Sequence, residues 1–266
     1  MATSNPAFSQ TPAFQNSSAM NSTVSAEQLQ ELYASPSATA ADTDRMTVED
    51  TIKKTGISFG ILVVGALIGW VVPGLWIAGM VVGLVLAFVN IFHNRKKLPS
   101  AGLTLAYAGA QGIFIGGISR FYEEIASGVV VQAVLGTVVV VGVTLALFAS
   151  GKIRASAKAT KIWLIAMIGY VVFSLINLVL IWTGANSDPW GLSGSVKIFG
   201  IPLGLIIGVL VVIMCAYSLV LDFDMIQQGV KNRAPRAVGW AGAFGIMLTV
   251  IWLYLELLRI FAIARN

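Results

Sequence analysis

The chain has 266 residues, of which 57% are hydrophobic and 11% are charged, and its net charge is +5 at pH 7. Soluble domains carry about 25% charged residues, so this deficit indicates a surface that faces lipid. The basic residues lie between apolar segments and form no contiguous patch, which argues against nucleic-acid binding. One cysteine, Cys215, and one histidine, His93, cannot supply an intramolecular disulfide or a Cys/His metal cluster.

Residues 1–45 are rich in Ser, Thr, Ala, Asn and Gln and contain few large apolar groups. Such a stretch buries too little surface to offset the entropy lost on ordering, so we predict a disordered tail. Thr47 is followed three residues later by Asp50, a pattern that resembles a capping box with Asp in place of Glu. The sequence therefore predicts that a helical domain begins near residue 46 and continues to residue 266.

Seven apolar segments follow the tail. Each approaches the ~20 residues that a helix needs to cross ~30 Å of hydrocarbon. The segments are too long for transmembrane strands and lack strict alternation. We therefore predict an all-α, polytopic integral membrane protein with seven transmembrane helices. The predicted helices lie near 56–72, 75–92, 101–119, 128–149, 162–183, 200–221 and 239–263.

Glycines four residues apart predict close helix packing in four places, because such a pair lies on one face of a helix. With 27 glycines in an apolar chain, chance accounts for some of these pairs. We expect at least two of them to be true contacts. The pairs are Gly65/Gly69, Gly79/Gly83, Gly112/Gly116 and Gly204/Gly208.

The distribution of basic residues predicts the orientation in the membrane. The segment before the first predicted helix, residues 1–55, and the second, fourth and sixth connections together hold 13 of the 17 Lys and Arg residues. Cytoplasmic connections are enriched in Lys and Arg, so these segments are expected in the cytoplasm. The sequence thus predicts a multi-pass protein of the cell membrane, with a cytoplasmic N-terminus and an external C-terminus.

Two carboxylates, Asp222 and Asp224, lie at the predicted cytoplasmic end of the sixth helix. At 100° per residue they point ~200° apart, so they cannot both face the bundle interior. We expect one inside and one at the headgroups. The alternative is that both are solvated charges at a helix end. A charge within a membrane span is costly and often functional, which makes both residues candidates for an ion pathway or gate.

Glu256 and Arg259 lie three residues apart in the seventh predicted helix. Counted from Gly239, they lie ~25 Å and ~30 Å along the helix, and Arg259 can reach the outer headgroups. Glu256 is deeper and needs a partner, for which Arg259 is the nearest candidate. This pair is either a structural anchor or part of an ion pathway. No catalytic or phosphate-binding motif accompanies it, so the sequence does not predict an enzyme or a cofactor.

Four short motifs resemble those of the Bax inhibitor-1-like family of membrane proteins, in the bacterial branch with an N-terminal extension. The resemblance covers roughly residues 46–266. Two motifs correspond to the third and fourth helices of that family, and two to the end of the sixth helix and to the seventh. They are AQGIFIGGIS (110–119), QAVLGT (132–137), LDFDMI (221–226) and WLYLELLR (252–259).

The resemblance implies seven helices with the last one central, and a pH-sensitive calcium leak that depends on a carboxylate pair. The family's first carboxylate opens an Asp-x-x-x-Ile pattern, which matches Asp222 and Ile226. Its second carboxylate lies ten residues before the arginine of Leu-Leu-Arg, where this chain has Thr249. A glutamate common in the third helix is replaced by Gln111. Both replacements remove negative charge from the implied ion path.

Two functions are compatible with these residues. The first is a cation leak, most plausibly for Ca²⁺ as the transported ion, with Asp222 as a tentative metal ligand and Gln111 and backbone carbonyls as further oxygen ligands. The second is a non-conducting protein that regulates other membrane proteins, such as a protease or a stress factor. The missing carboxylates favour the second function. In either case the lipid bilayer is the first partner.

Overall fold

In the computed structural model, the described residues are Gln30 and residues 43–72 and 74–265. Most of the predicted tail therefore lies outside the described residues. The described part is all-α apart from one small hairpin and contains seven helices long and apolar enough to cross a membrane, which confirms the predicted fold class. These helices are α1 (Val48–Val71), α2 (Leu75–Lys96), α3 (Ala101–Ile125), α4 (Val129–Ala149), α5 (Ala157–Trp182), α6 (Leu203–Lys231) and α7 (Gly239–Arg265).

Several helices extend beyond the apolar segments that the sequence shows. The helix α1 begins eight residues before the predicted residue 56, since Thr47 caps its N-terminus by accepting a hydrogen bond from the backbone N–H of Asp50 at 3.1 Å. The side chain of Asp50 contacts Lys54 and Arg236, so it takes part in ion pairs. Likewise, α6 continues ten residues beyond its predicted last residue, 221. Polar residues thus form complete helical turns at both positions.

The helix α7 lies at the centre of the bundle, as predicted. More than half of its apolar window, 56%, is buried, against 39% or less for each of the other six spans. It packs mainly against α1, α3, α4 and α6. The helix α2 packs on α3, and α5 contains no buried residue, so these two helices lie at the periphery.

Glycines allow α1 and α3 to approach closely. A methyl group on Gly65 would lie 2.7 Å from the carbonyl oxygen of Gly109, and one on Gly69 would overlap the backbone of Ile113. On α3, methyl groups at Gly112 and Gly116 would overlap the backbone of α1. The pairs on α2 and α6 also lie against neighbouring residues, which confirms that at least two of the predicted pairs are packing contacts.

Short elements connect α5 to α6 on one side of the bundle. A helical turn, Leu192–Ser195, precedes an antiparallel hairpin of β1 (Lys197–Ile198) and β2 (Ile201–Pro202). On the opposite side, the segment before α1 pairs with the connection between α6 and α7. Met46 N donates to the carbonyl of Ala234 at 2.8 Å, and Arg236 N donates to that of Asp44 at 2.9 Å. These bonds hold the cytosol-facing end predicted for α6 beside the start of α1.

Candidate ion-pathway site

A buried carboxylate lies between α6 and α7. Asp222 is 7% exposed, and its Oδ2 accepts a hydrogen bond from Thr249 Oγ1 at 2.7 Å. Ser218, one turn earlier on α6, lies with its hydroxyl 3.3 Å from that of Thr249. On the facing helix, Gly245 has no side chain, and a methyl group there would lie 3.0 Å from Asp222 Oδ1. The carboxylate therefore occupies a notch in α7 at Gly245.

Asp224 lies on a different face of α6 from Asp222. It is partly exposed, and its Oδ2 accepts a hydrogen bond from Gln228 of the same helix at 2.6 Å. The two aspartates thus follow the ~200° separation expected of an i, i+2 pair. Because α6 continues to Lys231, both lie within the helix, in contrast to the expected position at its end. Only Asp222 faces the centre of the bundle.

A second polar cluster lies two turns further along α7. Glu256 is 3% exposed, forms an ion pair with Arg259 and accepts a hydrogen bond from Tyr170 Oη of α5 at 3.0 Å. Seven residues separate Thr249 from Glu256, which places them ~10 Å apart along one face of the helix. The Nε atom of Arg259 is buried and has no hydrogen-bond partner in the described structure. Glu256 thus has two partners, of which α5 supplies one.

Apolar side chains separate the two polar clusters. Cys215 of α6 lies seven residues before Asp222, and Leu253 of α7 lies between Thr249 and Glu256 in sequence. Both side chains are 0% exposed and belong to the hydrophobic core. The side chains along the α6–α7 interface thus form a stripe that is polar at the level of Asp222 and again at the level of Glu256. Between these two levels the stripe is apolar.

The structure places Gln111 away from this stripe. Its side chain is half-buried and lies against Gly83 of α2, where an added methyl group would overlap Gln111 Oε1. Gln111 is thus an α2–α3 contact. Of the six candidate residues, the structure brings together Asp222 with Thr249 and Glu256 with Arg259, and it leaves Asp224 and Gln111 outside both groups.

Several polar contacts were not predicted from the sequence. Ser218 lies four residues before Asp222, and that helical spacing could have identified it. Lys54, which lies before the first predicted helix, is 7% exposed and donates to the carbonyl of Arg236 at 2.6 Å. No local pattern links these two residues, which lie 182 positions apart. In the described ranges, no group of three His, Cys, Asp or Glu residues could hold a metal ion.

The sequence profile of the family described as Bax inhibitor 1 like matches residues 5–266 of this chain. The chain belongs to this family. The match to the Bax inhibitor 1 like family extends 41 residues further toward the N-terminus than the resemblance noted from residue 46, so it includes most of the polar tail. No curated protein shows significant similarity to the chain.

Proposed function

We propose that this Bax inhibitor 1 like protein is a cation leak pathway of the membrane, with Ca²⁺ as the transported ion. The observation that carries this proposal is the burial of Asp222 between α6 and α7. Within the described residues, none of the ion pairs involves this carboxylate. A buried anion without a cationic side chain needs a bound cation or a proton to offset its charge.

Three oxygen-bearing side chains lie together at Asp222. The carboxylate, the hydroxyl of Thr249 and the hydroxyl of Ser218 form a chain of hard ligands, which suit Ca²⁺ in transit. These three groups offer at most four oxygens, too few for a resident calcium ion, which takes six to eight ligands. Water and backbone carbonyls supply the remainder in this proposal. A weak, partial site is what conduction requires, because an ion must also leave.

The pathway is closed in this conformation by Cys215 and Leu253. Conduction therefore requires α6 and α7 to separate at the level of these two residues. At Gly245, the Asp222 carboxylate of α6 packs directly against α7. A proton on Asp222 would replace an acceptor by a donor and weaken its bond with Thr249. We therefore propose that protonation of Asp222 changes the packing of α6 on α7 and makes the leak pH-sensitive.

The test of this function is Ca²⁺ flux into liposomes that contain only the purified protein. The proposal expects flux above that of protein-free liposomes and a dependence of that flux on pH. Equal Ca²⁺ entry with and without protein, at every pH, would rule out a leak function for this protein.

The second candidate function is non-conducting regulation of other membrane proteins. It is favoured by the partners that both buried carboxylates already have, Thr249 for Asp222 and Arg259 with Tyr170 for Glu256. With these bonds in place the α6–α7 stripe is a sealed structural interface. The same flux measurement separates the two functions, since a non-conducting regulator adds no flux to the liposomes.

We also propose a cytoplasmic N-terminus and an external C-terminus in the cell membrane. The support is the placement of 13 of 17 basic residues in residues 1–55 and in alternate connections. Reporter fusions at Ala40 and after Asn266 test this orientation. Both reporters on one side of the membrane would contradict it.

A further inference from the structure

A continuous groove runs along the membrane-facing side of the bundle between α1 and α4. One lobe of about 730 Å³ lies beside the first half of α1, and a second of about 420 Å³ lies beside the second half. The two lobes share the lining residues Phe59, Thr137, Val138 and Val250, the last of which belongs to α7. Both volumes fall within the ~300–1,000 Å³ typical of small-molecule sites.

The length of each lobe matches one leaflet of a bilayer. On α1, the first lobe extends from Val48 to Phe59 and the second from Phe59 to Trp70. At 1.5 Å per residue each lobe is ~16 Å long, about half of the ~30 Å hydrocarbon thickness. An extended acyl chain that enters from one leaflet therefore fits one lobe.

The walls of the first lobe are apolar even where the sequence is polar. The hydroxyls of Thr51, Thr55 and Thr137 donate to the carbonyls of the residues four positions earlier in their own helices, at 2.7–2.9 Å. With their hydroxyls bonded in this way, the three side chains add little polarity to the groove. Such walls favour a hydrocarbon chain over a polar ligand.

A basic side chain lies at the mouth of the first lobe. Arg154, from the connection after α4, donates to Gln227 Oε1 at 3.3 Å, and its guanidinium lies 4.6 Å from the ring centroid of Phe148. Both partners are lining residues of this lobe. Arg154 is exposed, and guanidinium has five N–H donors, so it retains donors for a phosphate.

We propose that the first lobe binds an anionic phospholipid, with an acyl chain in the groove and the phosphate at Arg154. The apolar walls hold the chain, and the guanidinium selects the negatively charged headgroup at the membrane surface. This lipid contacts residues of α1, α4, α6 and α7 together. The inference is independent of whether the protein conducts ions.

Two glycines of the first lobe provide variants that fill the groove. Added methyl groups at Gly56 and Gly142 would meet no atom within 4 Å, so a larger side chain can begin at either position without a clash at its Cβ. Gly60, one turn after Gly56, is equally open but lines neither lobe. Gly56→Leu and Gly142→Leu are therefore test variants, and Gly60→Leu is their matched control.

The test is native mass spectrometry of the full chain extracted from vesicles of equal parts phosphatidylglycerol and phosphatidylcholine. The parent and Gly60→Leu are expected to retain phosphatidylglycerol, while Gly56→Leu and Gly142→Leu lose it. Arg154→Gln is expected to reduce the preference for phosphatidylglycerol about fivefold and Lys158→Gln to leave it unchanged. Thermal unfolding of each variant verifies that it is folded.

The proposal is overturned if the folded groove-filling variants retain as much lipid as Gly60→Leu, or if Arg154→Gln keeps the parental preference. The proposal is also overturned if the parent protein retains no lipid. The groove would then be covered by another protein chain or by exchanging bulk lipid.

Discussion

Replacement of Thr249 by valine is expected to destabilise the protein through Asp222. The Thr249 hydroxyl donates to the carboxylate at 2.7 Å, and both side chains are buried. Hydrogen bonds to charged groups contribute about 1.5–3 kcal/mol, whereas interhelical bonds in membrane proteins average about 0.6 kcal/mol with a maximum near 1.7. We therefore expect a loss of about 1.5 kcal/mol if Asp222 is charged and about 0.6 kcal/mol if it is neutral.

The assay is a double-mutant cycle of Thr249→Val and Asp222→Ala, with unfolding free energies measured by denaturant titration in detergent micelles. The cycle isolates the pairwise term, because the cavity left by alanine is common to both Asp222 variants. Repeating the cycle at acid pH should lower the coupling energy, since a carboxylate accepts a stronger hydrogen bond than a carboxylic acid does.

The control for this cycle is Thr137→Val in α4. Thr137 is as buried as Asp222, but its hydroxyl donates to the carbonyl of Ala133 in its own helix at 2.7 Å. That carbonyl keeps its backbone partner when the hydroxyl is removed, so the expected loss is below about 0.5 kcal/mol. A coupling energy near zero, or an equal loss in Thr137→Val, would refute the role assigned to the Asp222–Thr249 bond.

Three further changes test the packing and the site. Thr249→Asp would place two carboxylates within hydrogen-bond distance, so any cation flux should depend more steeply on pH. Loss of folded protein without a steeper pH dependence would show that this position is not the second carboxylate site. Gly116→Ala should cost about 1–3 kcal/mol, because the methyl group overlaps the carbonyl of Ala66, whereas Gly60→Ala meets open space and should cost nothing; equal melting temperatures for both would contradict the α1–α3 packing. Deletion of residues 2–43 should leave insertion and thermal stability nearly unchanged, and a large loss of folded protein would mean that the tail contributes to the fold.

The number of helices could be predicted from the sequence because each span is an apolar run long enough to cross the bilayer. Their ends could not, since the ends of α1 and α6 are polar. Lys54 lies in α1 because Asp50 and the carbonyl of Arg236 neutralise and bond its ammonium group. A partner 182 residues away leaves no trace in a local pattern.

Part of the candidate site could be predicted from the sequence. Helical geometry alone showed that Asp222 and Asp224 point apart, and the family pattern selected Asp222, which the structure buries. The spacing of Glu256 and Arg259 predicted their ion pair. Tyr170, which completes that cluster from α5, lies 86 residues from Glu256, so only the packing of the bundle brings them together.

Gln111 shows that the position of a residue along a helix does not by itself predict where its side chain lies. It lies in the middle of α3, where the family pattern places an acidic residue, yet its side chain lies against the glycine notch of α2. The direction of a side chain at a helix interface depends on where the neighbouring helix offers room, and Gly83 offers it here. That information resides in the packing of α2 on α3, which a single sequence does not specify.

The most direct test of the proposed leak is Ca²⁺ flux in liposomes that contain the parent protein, Asp222→Asn or Asp224→Asn. Both substitutions remove one carboxylate charge from α6, but only Asp222 faces the α6–α7 interface. We predict that flux falls strongly in Asp222→Asn and stays near the parental value in Asp224→Asn. Equal conduction by Asp222→Asn and the parent at every pH would contradict the account.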